Sequence, residues 1–179
     1  MDTLGRLMLP ELPQTIDPEF LARKGVTIEG KYTVLDLPRL CDILHNHAGH
    51  ITFRLEFGQD EDKKHSLIRG RIEAVLKTVC QRCLDMMELN ISSPVYLGVV
   101  SSRAEGVILP EGYEPLVQDV NPMSLSALIE DELILAMPIS AMHDIDQCPA
   151  SRVLEEINAG ARNSPFSALK KMQRKTPKS

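Results

Sequence analysis

The stretch Cys80-Gln81-Arg82-Cys83 is the part of this chain best equipped for chemistry, because two thiols three positions apart can share one metal ion or one disulfide. A second pair of ligand types arrives in His143-Asp144-Ile145-Asp146-Gln147-Cys148, bordered by Pro138 and Pro149 in a segment with few other reasons to be ordered. Zinc takes four nitrogen and sulfur ligands in a tetrahedron, commonly as two short-spaced pairs that pin two loops together. Cys80 and Cys83 with His143 and Cys148 would supply such a set. Thioredoxin-like redox chemistry needs the first cysteine at a helix N-terminus, whereas strand-like alternation follows Cys83. Reduced structural thiols without a metal are the third reading. Two further clusters carry less. Glu130-Asp131-Glu132 could be catalytic or bind a cation, but adjacent acids are more often a solvated face. His45, His47 and His50 flank Asn46 and Gly49 in a loop where histidines are usually hydrated. No GxSxG, HExxH, P-loop or GxGxxG motif is present.

The elements that position the cysteines follow from periodicity. Ile68, Gly70, Ile72, Ala74 and Leu76 alternate with Arg69, Arg71, Glu73, Val75 and Lys77, and a period of two resumes from Met87 to Val99, interrupted at Ser93-Pro94. Two half-buried strands with CxxC in the turn between them are predicted. Ile51, Phe53, Leu55 and Phe57 form the clearest strand, with a charged turn over residues 58–64. Residues 26–34 read as a strand pair or a strand bent at Gly30. Residues 111–114, between Pro110 and Pro115, are an edge strand at best. Asp17-Pro18 opens a short helix that Gly25 stops, and a second runs from Asp36 to about Leu44, with Cys41 as a small core residue. Ser124 caps a longer helix whose apolar positions 125, 128, 129, 133 and 136 share one face, ending at Pro138. Residues 152–157 allow a helical turn or more. Phe166, Leu169 and Met172 space a short basic amphipathic helix. The expected fold is α+β in a single domain, residues 1–162: an antiparallel sheet with a CxxC-tipped hairpin, covered by one long helix. A basic tail, residues 163–179, completes it.

The size and balance of the chain agree with that expectation. A length of 179 residues, 43% hydrophobic and 25% charged, suits a folded domain with a real core. Aromatic content is 4% with no tryptophan, so a nucleic-acid mode that stacks bases on a row of exposed rings is poorly supplied. Four cysteines are too few and too scattered for a disulfide framework. Residues 1–20 lack a basic stretch followed by an apolar run, and no apolar stretch approaches bilayer length. A cytoplasmic location with no membrane contact is therefore expected. Net charge is −5, yet the last ten residues hold five of the twenty basic groups and no acid. A basic tail on an acidic body often marks contact with a polyanion or an acidic partner surface.

Several stretches together resemble the YceD family, the large ribosomal RNA subunit accumulation proteins. They are Leu12-Pro13-Gln14-Thr15-Ile16-Asp17-Pro18, Cys80-Gln81-Arg82-Cys83-Leu84 and Leu109-Pro110-Glu111-Gly112-Tyr113-Glu114-Pro115. The likeness continues in Ile129-Glu130-Asp131-Glu132-Leu133-Ile134-Leu135-Ala136-Met137-Pro138, in His143-Asp144 and Cys148, and in Asn163-Ser164-Pro165-Phe166-Ser167-Ala168-Leu169. The resemblance implies a bacterial or plastid-type protein needed for synthesis, processing or stability of 23S rRNA, with no accepted catalytic mechanism. Relatives with a fuller cysteine set in the region matching residues 143–148 imply a present or former metal site. The function expected is a ribosome biogenesis factor, not an enzyme, that binds rRNA or a pre-ribosomal protein. Candidate phosphate contacts are Arg69, Arg71, Lys77 and Arg82 on and beside the hairpin, with Lys170, Lys171, Arg174 and Lys175 in the tail. The alternatives are a protein–protein adaptor docking through Phe166, Leu169 and the acidic face, and a metal-dependent RNA-processing enzyme using residues 130–132.

Overall fold

The computed structural model describes residues 12–62, 64–102, 109–118 and 122–160. Five strands make the main sheet: β2 (Thr27–Thr33), β3 (Gly49–Gln59), β4 (Ser66–Val79), β5 (Met86–Val100) and β6 (Glu114–Val117), side by side in that order. Neighbours from β2 to β5 run antiparallel. The alternation seen in the sequence is the cause. Ile51, Phe53, Leu55 and Phe57 on β3 and Ile68, Ile72, Ala74 and Leu76 on β4 all bury on one face, because successive strand residues point to opposite sides. Ile91, Val95, Leu97 and Val99 extend that face across β5.

Helices close this face. α1 (Pro18–Lys24) packs on β3 and β4, and α3 (Leu125–Ala136) packs on β4, β5 and α2 (Pro38–Ile43). The caps expected for α1 and α3 are present: Asp17 accepts from the Phe20 N–H at 3.0 Å, and Ser124 Oγ from the Ala127 N–H at 3.2 Å. A two-residue ladder of β1 (Thr15–Ile16) with β7 (Met123–Ser124) ties the start of the described chain to the start of α3. The opposite face of the sheet carries no helix among the described residues.

Five expectations need correction. β6 lies parallel to β5, so the sheet is mixed and not wholly antiparallel. Residues 27–33 form one continuous strand, and Gly30 marks a close approach, since a Cβ there would meet Leu12 at 2.5 Å and Phe53 at 2.8 Å. β5 runs through Ser93-Pro94 without a break; β6 pairs with β5 only from Leu97 onward, so Pro94 faces an edge without a ladder there. The long helix is not alone, because α4 (Pro149–Gly160) has the same twelve residues as α3. Finally, the acidic run is not a solvated face. Glu130 is buried and accepts from the Leu40 N–H at 3.0 Å, while the exposed Asp131 pairs with Arg39. The two carboxylates thus join α3 to α2. Glu132 is half-buried, and burial pushes its carboxyl above the usual range, aided by Glu114 and Asp131. Residues 163–179 and the tail cations Lys170, Lys171, Arg174 and Lys175 lie outside the described residues.

Two substitutions test these contacts. Glu130→Ala leaves the Leu40 N–H buried without an acceptor and should cost about 1–3 kcal/mol in urea unfolding. Glu130→Gln keeps an oxygen there and should lose less. In the β3–β4 loop, Asp60 accepts from the His65 N–H at 3.1 Å and contacts His65 Nδ1 at 2.8 Å, which holds its carboxyl below the ordinary value. Stability from a depressed carboxyl is present above about pH 4 and is lost as pH falls through the folded-state value. Asp60→Asn should therefore lower the urea midpoint at pH 7, with the difference from wild type shrinking below about pH 4.

Candidate metal centre

The turn between β4 and β5 is closed at both ends. The Cys80 N–H donates to Asp85 O at 2.9 Å, and the Leu84 N–H returns to Cys80 O at 2.9 Å. Leu84 has φ of 64°, a left-handed conformation that a leucine adopts only under constraint. This geometry turns both cysteine side chains to the same side. After α3 the chain comes back to meet them: the Gln81 N–H donates to Ala141 O at 2.8 Å. His143 and Cys148 follow, the latter directly before the first residue of α4. The Cys148 N–H bonds Asp144 O at 3.0 Å, and Cys148 O accepts from the Ser151 N–H at 3.0 Å.

The ligand atoms of Cys80, Cys83, His143 and Cys148 lie within 4.8 Å of one another. Cys80 and Cys148 are buried and the other two half-buried. A tetrahedral zinc site has S–S edges of about 3.8 Å and S–N edges of about 3.6 Å, from its bond lengths. The Cys83 Sγ to His143 Nδ1 separation is 3.3 Å. The set therefore fits a tetrahedral ion with side-chain shifts of about 1 Å. All four positions would be filled by protein, leaving none for water or substrate, so the ion would act as a cross-link and not as a Lewis acid for turnover.

The electrostatics of the cluster suit a cation. Burial alone pushes the Cys80 thiol up, but backbone N–H groups of Cys83, His143 and Arg82 aimed at its sulfur bring it down to about 5. The Arg82 and His143 N–H donors stand at 3.4 Å from that sulfur. Burial pushes the Cys83 thiol up to about 11, reinforced by the Cys80 and Cys148 sulfurs beside it. Sulfurs crowded enough to discourage one another's ionisation are what a divalent ion relieves.

The other predicted residues divide. Arg82 turns inward: its guanidinium donates to the buried Ser151 Oγ at 3.1 Å and contacts Met142 Sδ at 3.7 Å, lashing the turn to α4. Arg69, Arg71 and Lys77 are exposed on the bare face of β4. Lys77 stands directly across from Glu88. Cys41 packs against the core, away from the cluster. Among the described residues the three histidines of residues 45–50 join no metal-competent group, and His50 lies within β3. Sequence reasoning missed Ser151 and started this helix late, at residue 152 instead of Pro149, although a proline directly after Cys148 is a helix-start signal.

Purified protein should carry equimolar zinc by elemental analysis, and cobalt(II) in its place should give intense tetrahedral and thiolate-to-metal absorption bands. Cys83→Ala should lower metal affinity by more than about a hundredfold, exceeding the effect of losing an outer-shell partner. Cys41→Ser should leave metal content unchanged.

A family model described as "Large ribosomal RNA subunit accumulation protein YceD" matches residues 68–173, more than half of the chain. The matched part includes β4, β5, α3, α4 and all four cluster residues. The large ribosomal RNA subunit accumulation protein YceD of Haemophilus influenzae is 29% identical over 172 residues, which cover 92% of this chain and 98% of that relative. No solved structure matches the chain. The chain belongs to the YceD family of large ribosomal RNA subunit accumulation proteins.

Proposed function

We propose that this protein is a cytoplasmic ribosome biogenesis factor that supports accumulation of 23S rRNA by binding precursor RNA of the large subunit without cutting it. The observation that carries the reading is the pair Arg69 and Arg71. Both are exposed on the bare face of the sheet, and among the described residues no carboxylate pairs with either. Their neighbour Arg54 explains why: it pairs with both Glu29 and Glu56, so the acids nearest on β2 and β3 are already engaged. Arg71 donates to Ser92 Oγ at 2.8 Å and Arg69 lies over the Tyr113 ring. Guanidinium groups held this way are ready for phosphate oxygens. Lys170, Lys171, Arg174 and Lys175 add charge from the same molecule. Zinc in the Cys/His cluster has a supporting role, fixing the hairpin that displays the face.

The nuclease alternative has little to build on, since Glu130 and Asp131 already hold α2 through Leu40 and Arg39. The adaptor alternative has one observation in its favour: Val153, Leu154 and Ile157 are exposed along α4. A protein partner could cover such a patch.

Binding to large-subunit precursor RNA should fall steeply with salt, and Arg69→Gln or Arg71→Gln should each reduce the slope of log affinity against log salt by about 1. No binding at low salt would overturn the reading. Pull-down of assembly proteins that is lost on deleting residues 163–179, while RNA retention persists, would favour the adaptor.

A further inference from the structure

The chain has only three tyrosines and no tryptophan, yet the fold sends two of the three to one corner of the bare sheet face. Tyr32 stays on the covered side, stacked on Phe53 at 5.4 Å between ring centroids. Tyr96 is on β5, half exposed, with Arg69 of β4 as its cross-strand partner. Tyr113 meets it edge-on at 5.9 Å, and the Arg69 guanidinium lies 5.7 Å from the Tyr113 ring.

This corner is built by backbone as well as side chains. Gly98, two residues beyond Tyr96 on the same face, leaves room for Leu109: a Cβ there would meet the Leu109 side chain at 2.3 Å. That contact seats the start of the segment on the sheet. A tight turn follows, with the Tyr113 N–H bonded to Pro110 O at 3.2 Å and Gly112 at φ of 86°, a conformation that favours glycine. The turn brings Tyr113 back beside Tyr96. On the other side of Tyr96, Pro94 stands across from Arg71. Arg69 thus stands across from the half-exposed ring, while Arg71, one repeat along β4, extends its guanidinium along the face to Ser92 Oγ, four residues before Tyr96 on β5. Residues i and i+4 of a strand are about 13 Å apart, so a guanidinium held at Ser92 is set for a phosphate further along the same RNA strand as a base on Tyr96.

We propose that Tyr96, with Tyr113 and Arg69 beside it, is a stacking site for an unpaired RNA nucleotide, with Arg71 taking a phosphate further along the same strand. The inference rests on the RNA-binding reading above and sharpens it to single-stranded segments. Every base has a π-face, and stacking on an aromatic ring is tolerant of sequence. In a duplex those faces are already stacked on neighbouring base pairs, so the site discriminates against paired RNA. Neither Arg69 nor Arg71 has a carboxylate partner among the described residues, so both guanidinium groups are open to phosphate on the sheet side of Tyr96, while Glu114 and Glu132 line the hollow on its other side.

The test uses the full chain with a short labelled oligouridine and an RNA duplex of equal length, followed by fluorescence anisotropy at low salt. Tyr96→Ala should weaken single-strand binding about tenfold or more, the scale of a lost base–aromatic stack, with little effect on the duplex. Tyr96→Phe keeps the ring and should bind single strands within a few-fold of wild type. Tyr96→Leu keeps bulk without a π-face and should fail like Ala; it also serves if the Ala variant does not melt cooperatively. With no tryptophan present, intrinsic tyrosine fluorescence should be quenched by oligouridine in wild type, and less so in Tyr113→Leu. If Tyr96→Ala and Tyr96→Leu bind single strands like wild type while Arg71→Gln is weakened, the stacking site is wrong and the basic face stands. Equal losses on both RNAs also overturn it. If wild type binds neither RNA, the RNA-binding reading itself fails, and this inference with it.

Discussion

The β4–β5 ribbon outruns its neighbours, and the rest of the C-terminal half depends on how its free end is held. β3 pairs with β4 only as far as Leu76, and β6 pairs with β5 only from Leu97. Between Lys77 and Glu88 the two strands therefore have only each other among the described residues. A two-stranded ribbon alone in water is marginal. What holds this one is at its tip. The Gln81–Ala141 hydrogen bond and the His143 N–H on Cys80 Sγ fasten it to the segment between α3 and α4, and the Arg82–Ser151 contact fastens it to α4. A metal ion shared by Cys80, Cys83, His143 and Cys148 would turn these weak ties into one cross-link joining segments 60 or more residues apart, where a clip gains most from reduced chain freedom.

Much of this frame was legible in the sequence because one physical rule dominates each legible part. A strand with one wet face alternates, so β3, β4 and β5 announced themselves. A helix start needs acceptors for its orphan N–H groups, so Asp17 and Ser124 did as well. The clustering of Cys80, Cys83, His143 and Cys148 was legible because a CxxC turn is half of a zinc site when a second pair arrives, and one candidate pair followed. What escaped depended on facts that local pattern does not carry. That β6 runs parallel to β5 is not carried by the residue pattern of Glu114–Val117. Glu130 looked like part of a solvated run because its neighbours are acids. Its burial is decided by the unpaired N–H of Leu40, ninety residues earlier. Gly30 looked like a bend because glycine permits one, whereas here it permits the approach of Leu12 and Phe53.

The charged residues show the same limit more sharply. Arg69, Arg71, Lys77 and Arg82 were equivalent as letters. Arg82 is drawn inward by Ser151 and Met142, and Lys77 faces Glu88. Arg69 and Arg71 alone of the four keep exposed charge without an acid opposite that is free to answer it, since Glu56 across from Arg69 is held by Arg54. Composition also undervalued the tyrosines. A 4% aromatic content supplies a row of exposed stacking rings poorly, but a corner needs only the two rings that the Gly98–Leu109 contact and the turn at Gly112 bring together.

These features divide the molecule into a covered side that makes stability and a bare side that is free to act. Helices α1 and α3 bury the apolar alternates of β3, β4 and β5, while the polar alternates of the same strands form the open face. Because side chains alternate, a one-residue slip in register would exchange the two faces, placing Arg69, Arg71 and Tyr96 in the core. The register of β4 on β5 is set nearest the tip by Val79 opposite Met86, beside the clustered cysteines. A fixed tip therefore guards the orientation of residues that stand well along the ribbon from it. A metal ion held by Cys80, Cys83, His143 and Cys148 would leave no position open for substrate, and its effect would be to hold the proposed recognition face in register.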